Sequence, residues 1–265
     1  MTVATRTSNK TDRWVDVLAT TVPHVRSSKC PRNGEVVRCI KDFFAKGTRP
    51  SGETVLEGPT GATAAITPEL RTLVYRRAAE MIRTCVWGVI DKSKGFARLR
   101  GSPKEATRPL LEAFDAKLAS LVFDPATGHA TSNTAEEAAV GLVGRMGGVI
   151  AGPITRDATG LAEFIGIEDV HWDVKSPMSP RTDQHWTFDA GHQVEVVRKN
   201  IGEGESILLN LSRCTEEDAR NVVTLIRRAL SREELQFLYV LLPIVAVGGV
   251  RESSSSANNH PLLNH

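Results

Sequence analysis

The chain has 265 residues, 41% of them hydrophobic, with 33 Lys/Arg against 31 Asp/Glu. That is enough for one or two domains with real cores, in a composition typical of ordinary soluble proteins. The net charge of +2 conceals an asymmetry: residues 1–125 hold 21 Lys/Arg and 13 Asp/Glu, whereas residues 126–265 hold 12 and 18. A basic half beside an acidic half suits a nucleic-acid-holding module beside a metal-holding one, although solvated helix faces of different sign give the same totals.

The first half reads as helical. Val36, Val37, Ile40, Phe43 and Phe44 recur at helical spacing within 35–46, and Gly47 follows as a stop. Residues 47–61, rich in Gly, Pro and Thr, read as a loop. Thr67-Pro68 is an N-cap and first-turn pair. After it Leu70, Leu73, Val74, Met81, Ile82, Cys85, Val86 and Val89 repeat at three and four, which predicts one long helix. Its arginines, Arg71, Arg76, Arg77 and Arg83, read as a solvated edge. A third helix is predicted over much of 104–123. The cluster Asp124-Pro125-Ala126-Thr127-Gly128 is a breaker, and a boundary is expected there between a basic helical domain, 1–125, and a second domain, 126–250.

Beyond it helices and strands alternate. Thr134-Ala135-Glu136-Glu137 reads as a capping box opening a helix to about Met146. Strands are predicted at 149–154, at 161–167 and 170–176 as a hairpin, at 206–211 and within 235–247. Helices are predicted at 186–200 and from Thr215 to Leu230. The fold class is α/β or α+β, a mixed sheet flanked by helices. The longest apolar run, 237–250, is short of the roughly 20 residues a membrane span needs and contains Pro243, so no span is expected. The start of the chain lacks the order of a secretory signal. Cys30, Cys39, Cys85 and Cys214 have no zinc-knuckle or disulfide-framework spacing and read as free thiols. The serine run at 253–256 and the tail to 265 read as disordered.

The most informative stretch is Trp172-Asp173-Val174-Lys175-Ser176-Pro177, with Glu163-Phe164 upstream. With period two, Val170, Trp172 and Val174 form an apolar face and His171, Asp173 and Lys175 point the other way. A carboxylate and an ammonium then stand roughly 7 Å apart along one strand. With a second carboxylate nearby, the set suits cutting of a phosphodiester at a divalent metal.

A helix with an N-terminal glutamate, a strand, Ala162-Glu163-Phe164, a hairpin, the Trp-Asp-Val-Lys-Ser-Pro strand and a helix follow in this order. Together they resemble the PD-(D/E)xK nuclease superfamily. Within it the wording is most similar to C-terminal nuclease domains of bacterial polymorphic and contact-dependent growth-inhibition toxins. The segments Gly191–Asn200 and Ile207–Leu211 add to the likeness, which covers about residues 130–242. The resemblance implies a metal-dependent endonuclease acting on RNA, with tRNA ranked first, or on DNA. It implies Mg²⁺ or Mn²⁺ as cofactor, Asp173 as a ligand and Lys175 as the group that positions water and offsets phosphate charge. It further implies a cognate immunity protein as partner, and a chain that is cytoplasmic or delivered into a target cell. Glu163 stands where the family usually has Asp, and its extra methylene shifts the oxygen; Glu168 and Asp169 are alternative ligands that look more like turn residues.

The helix glutamate stays open. Glu137 fits the third position of the capping box, while Glu136 faces the core beside Ala139, Val140 and Val143. His171 and Gln193 are candidate substrate contacts. Set against the nuclease is a non-catalytic nucleic-acid- or protein-binding module that keeps the fold, a reading motivated by Glu163.

Overall fold

A computed structural model describes residues 33–46, 56–57, 63–64, 66–99 and 105–247. Its centre is a seven-stranded mixed sheet in the order β4-β3-β11-β10-β9-β8-β7. The strands are β3 (Cys85–Asp91), β4 (Gly95–Arg98), β7 (Thr155–Arg156), β8 (Phe164–Ile165), β9 (His171–Lys175), β10 (Ser206–Asn210) and β11 (Leu238–Pro243). The strands β9, β10 and β11 are parallel neighbours; antiparallel strands flank them on both sides. Two small antiparallel pairs stand apart: β1 (Leu56–Glu57) with β2 (Thr63–Ala64), and β5 (Phe123–Asp124) with β6 (His129–Ala130).

The strands β10 and β11 send apolar residues to both faces because helices cover both. Leu208, Leu241, Trp172, Val174 and Trp87 enter one core. That core is shared with α1 (Asn33–Lys46), α2 (Pro68–Thr84), α3 (Thr107–Asp115), α4 (Leu118–Val122) and α5 (Ser132–Met146). Ile207, Leu209, Val240, Leu242, Val86 and Ile90 enter the other. Its helices are α6 (Ala190–Gly202) and α7 (Glu216–Ala229). The connections β9–α6–β10–α7–β11 thus lie on one side, opposite the helices contributed by the first half and α5.

Most predicted elements are found, and the departures have physical causes. Thr67 caps α2 by accepting from the Leu70 amide, but the helix ends at Thr84, and Cys85, Val86 and Val89 belong to β3. The run Cys-Val-Trp-Gly-Val-Ile is buried along most of its length and pairs with β11 and β4, so sheet pairing overrides a helical stripe. The same pairing overturns the boundary at 125: β3 and β4 belong to the sheet completed by residues 238–243, and Asp124–Gly128 only turns the β5–β6 pair. The helix expected over 104–123 is broken into α3 and α4. No strand forms at 149–154. The cap of α5 is Thr131, whose side chain accepts from the Thr134 amide while Thr134 reaches back to the Thr131 amide. The capping box therefore lies three residues earlier than expected, and Glu137 has no capping role. The tail after residue 247, Cys30 and most of the 47–61 loop lie outside the described residues. Among those described, no helix is long and apolar enough to cross a membrane.

Gly88 in β3 allows the closest approach in the sheet. A Cβ there would meet the Phe96 ring at 2.2 Å and the Ala97 carbonyl oxygen at 2.7 Å. Gly88→Ala is expected to cost at least about 1–3 kcal/mol, because the neighbouring carbonyl cannot move aside without breaking the β3–β4 ladder. Urea denaturation of the full chain measures it.

Candidate active site

The site forms where the β8–β9 ladder runs out. The register pairs Ile165 with His171 and Phe164 with Trp172. Phe164 and Trp172 are buried in the first core, so their neighbours Glu163 and Asp173 turn to the opposite side. The Glu163 amide still donates to the Trp172 carbonyl at 3.1 Å. Beyond it no β8 carbonyl is in place for the Val174 N–H, and the Glu163 carboxylate accepts that bond at 2.8 Å. A side chain thus continues the ladder, and it brings its carboxylate against Asp173.

Asp173 is almost fully buried, with 2% of its surface exposed. It accepts from Lys175 Nζ at 2.7–2.8 Å through its two oxygens, and from Asn200 Nδ2 of α6. The same Asn200 amide nitrogen donates to Glu205 at 2.9 Å. Lys175 is surrounded by acids: burial alone would lower its pKa, but Asp173, with Glu163 and Glu205, outweighs burial and raises it. Burial pushes the Glu163 carboxyl up to about 9, reinforced by its hydrogen bond to Asp173 and by the charge of Asp173. Glu205 is raised by burial and then by Asp173.

Of the two helix glutamates, Glu137 is the one whose charge acts on Asp173 and Glu163, although its direct partner is Arg156. Burial raises its pKa, the paired Arg156 works against that rise, and Asp124 and Asp173 add to it. Its Oε2 lies 2.7 Å from Arg156 Nη1. Glu136 is engaged elsewhere. Arg77 of α2 grips both of its oxygens at 2.8 and 2.9 Å, and Asn210 donates to one of them at 3.1 Å. Asn210 also donates to Ser176 Oγ at 3.1 Å, and Arg77 to Ser212 Oγ at 3.1 Å. Arg77, expected on a solvated edge, is therefore the cation of a buried network beneath the ends of β9 and β10.

The remaining sequence candidates are peripheral. His171 is partly exposed, with Nδ1 3.5 Å from the buried Asp157 carboxylate. Gln193 is partly exposed on α6, two turns before Asn200 on the same stripe, about 10 Å along the helix. Glu168 and Asp169 are exposed at the hairpin turn, with φ of 60° and 56°. Their left-handed backbone identifies them as turn residues rather than ligands. Asn200, Glu205 and Arg156 are the partners that sequence reasoning missed. The period of seven from Gln193 to Asn200 is a signal for the first; the position of Glu205 just before a buried strand is a weaker one for the second.

The donors facing one another are carboxylate oxygens, the ligand type that Mg²⁺ and Mn²⁺ prefer. Glu163, its carboxyl held neutral by burial and by its bond to Asp173, would lose its proton to a divalent cation that both carboxylates could hold. Among the described residues no three His, Cys, Asp or Glu side chains are already gathered as a metal centre. A cavity of about 410 Å³ lies between α1 and α2, and none of these carboxylates lines it. No family model, curated protein or solved structure matches this chain.

Two predictions follow from these environments. Because the Glu163 carboxyl is raised from an ordinary value near 4.5 to about 9, its protonation stabilises the fold fully below the lower value, and that contribution disappears as pH rises through the upper one. Thermal melts in EDTA are expected to fall between about pH 5 and pH 9, and Glu163→Gln is expected to flatten this fall and melt higher than the parent near pH 9. Glu137 and Glu205 leave a residual slope of the same sign. Separately, Arg77→Met strands the Glu136 carboxylate without its cation, and urea unfolding is expected to show a loss of about 3–5 kcal/mol. Adding Glu136→Met to it is expected to restore most of that loss.

Proposed function

We propose that the chain is a metal-dependent nuclease of the PD-(D/E)xK type, cleaving phosphodiester bonds of RNA or DNA. The observation that carries this reading is the meeting of three side chains at one strand end. Asp173 and Lys175 lie on the same face of β9, and the hairpin partner delivers Glu163 to Asp173. The order of elements around them, α5, the β7–β8–β9 meander, α6 and β10, fits the resemblance seen in the sequence.

In this reading Asp173 and Glu163 hold Mg²⁺ or Mn²⁺, and Glu137 adds negative charge behind them. The cation, when bound, lowers the pKa of a bound water and stabilises charge on the phosphoryl oxygens. Lys175 stands beside Asp173 with its ammonium kept charged by the surrounding acids, so it can orient the attacking water and offset charge building on the phosphate. Asn200 ties Asp173 to Glu205 and fixes the carboxylate's rotation. Arg77 and Glu136 brace Ser176 through Asn210, immediately after the lysine. The likeness to toxin nuclease domains ranks tRNA first among substrates, and carries with it a cognate immunity protein and delivery into a target cell.

The second reading, a binding module that keeps the fold without cleaving, draws on the burial of Asp173 and on the occupation of its oxygens by Lys175 and Asn200. One assay separates the two: total tRNA and plasmid DNA incubated with the full chain in Mg²⁺, Mn²⁺ or EDTA, beside Lys175→Ala and Asp173→Asn. The nuclease reading expects cleavage that requires metal and falls by at least about 100-fold in either variant. Intact substrates from folded protein would transfer the weight to the binding module.

A further inference from the structure

Between the end of β9 and the start of α6 the chain makes an arch whose two feet are fixed. At the first foot, the buried Ser179 receives a hydrogen bond from the Thr215 amide at 2.8 Å and bonds to Asp218, while the Ser179 amide donates to the Arg213 carbonyl at 3.3 Å. At the second, Phe188 packs against the α6/α7 core and Asp189 caps α6 by accepting from the His192 amide at 2.9 Å. Residues 181–187 between them are exposed.

Trp186 stands on this arch with 46% of its surface exposed, and it joins neither apolar core. A tryptophan is normally buried through most of its ring. Here nearly half of the residue's surface stays exposed, and the indole N–H is held by the arch itself. Gln184 Oε1 accepts from the indole Nε1 at 3.2 Å and from the Arg181 amide at 2.9 Å, and the Gln184 amide donates to the Arg181 carbonyl at 2.9 Å. The ring's one polar atom is satisfied within the arch. Cationic or titratable groups flank it. Arg181 is 75% exposed and only loosely paired with Asp183 at 3.5 Å; His185 is exposed, with no hydrogen-bond partner among the described residues.

We infer that the arch is a nucleotide-binding platform, on which Trp186 stacks an unpaired base of RNA or DNA while Arg181 meets the adjoining phosphate. The inference rests on the nuclease reading and names a substrate contact for it. An indole face with a guanidinium beside it is the combination that holds single strands without reading their sequence. No other large apolar side chain is exposed on the arch, so it lacks the contiguous apolar patch of a protein–protein interface. The arch follows Lys175, Ser176 and Pro177 in the chain, and its second foot, Asp189, lies roughly 16 Å along α6 from Asn200, which bonds Asp173.

The test uses the full chain carrying Lys175→Ala, in EDTA, so that binding is read without cleavage. Labelled single-stranded RNA and DNA of about ten nucleotides, and a duplex of equal length, are titrated by fluorescence anisotropy. Trp186→Ala is expected to weaken single-strand binding about tenfold or more, Trp186→Phe to retain most of it, and the duplex to respond little. The RNA and DNA arms show which source of bases is preferred. With Lys175 intact, Trp186→Ala is expected to raise KM and leave kcat close to the parent's. Single-strand affinity and KM unchanged in Trp186→Ala would overturn the platform even if the parent cleaves. A parent that never cleaves, yet loses single-strand binding in Trp186→Ala, would refute the nuclease and keep the platform.

Discussion

One hydrogen bond governs the arrangement: the Val174 N–H donates to the Glu163 carboxylate, where a backbone carbonyl of β8 would otherwise stand. A strand that ends one residue early leaves an orphan donor on its neighbour, and a buried orphan is costly. Glu163 satisfies it with a side chain, at the expense of placing one carboxylate against another. Burial, and after it the hydrogen bond to Asp173 and the charge of Asp173, lifts the Glu163 carboxyl, while Lys175 and Asn200 bond to Asp173. Perturbed carboxylates of this kind cluster at functional sites and also occur in structural ion-pair networks.

The rest of the molecule positions that bond. Trp172 and Val174 anchor β9 in one core, and Phe164 anchors β8 in the same core. The apolar faces therefore determine which way Glu163, Asp173 and Lys175 turn. The first half of the chain is part of this support: β3 and β4 extend the sheet past β11, and Arg77 of α2 fills the space under Asn210 and Glu136. A buried bidentate pair of this kind gains little net energy, since desolvation offsets much of the attraction. It does fix the geometry, because every polar group in the network has only one set of partners.

Much of the second half was legible in the sequence because its signals are local. The alternation from Val170 to Lys175, the turn at Glu168-Asp169 and the acidic first turn after Thr215 each specify their element without help from distant residues. What was not legible depends on partners far along the chain. Cys85–Asp91 carries a helical stripe and becomes a strand only because β11, some 150 residues later, pairs with it. The role of Glu136 depends on Arg77, and that of Glu205 on Asn200 and Asp173, none of which adjoins it in sequence. The core-facing position of Glu136 is legible in the sequence, whereas the capping role read for Glu137 falls away because the cap is Thr131. Trp186 escaped notice because a lone tryptophan in a polar stretch reads as a side chain awaiting a core.

The proposed function requires Glu163 and Asp173 to hold a divalent cation together. Calorimetric titration of the metal-free chain with Mn²⁺ tests this most directly, comparing the parent with Glu163→Gln, Asp173→Asn and, as a control on α1, Gly34→Ala, a position with open space around it. The account predicts one site in the parent and the control, and its loss in both acid variants. Equal Mn²⁺ binding in all four proteins, or none in the parent, would contradict it.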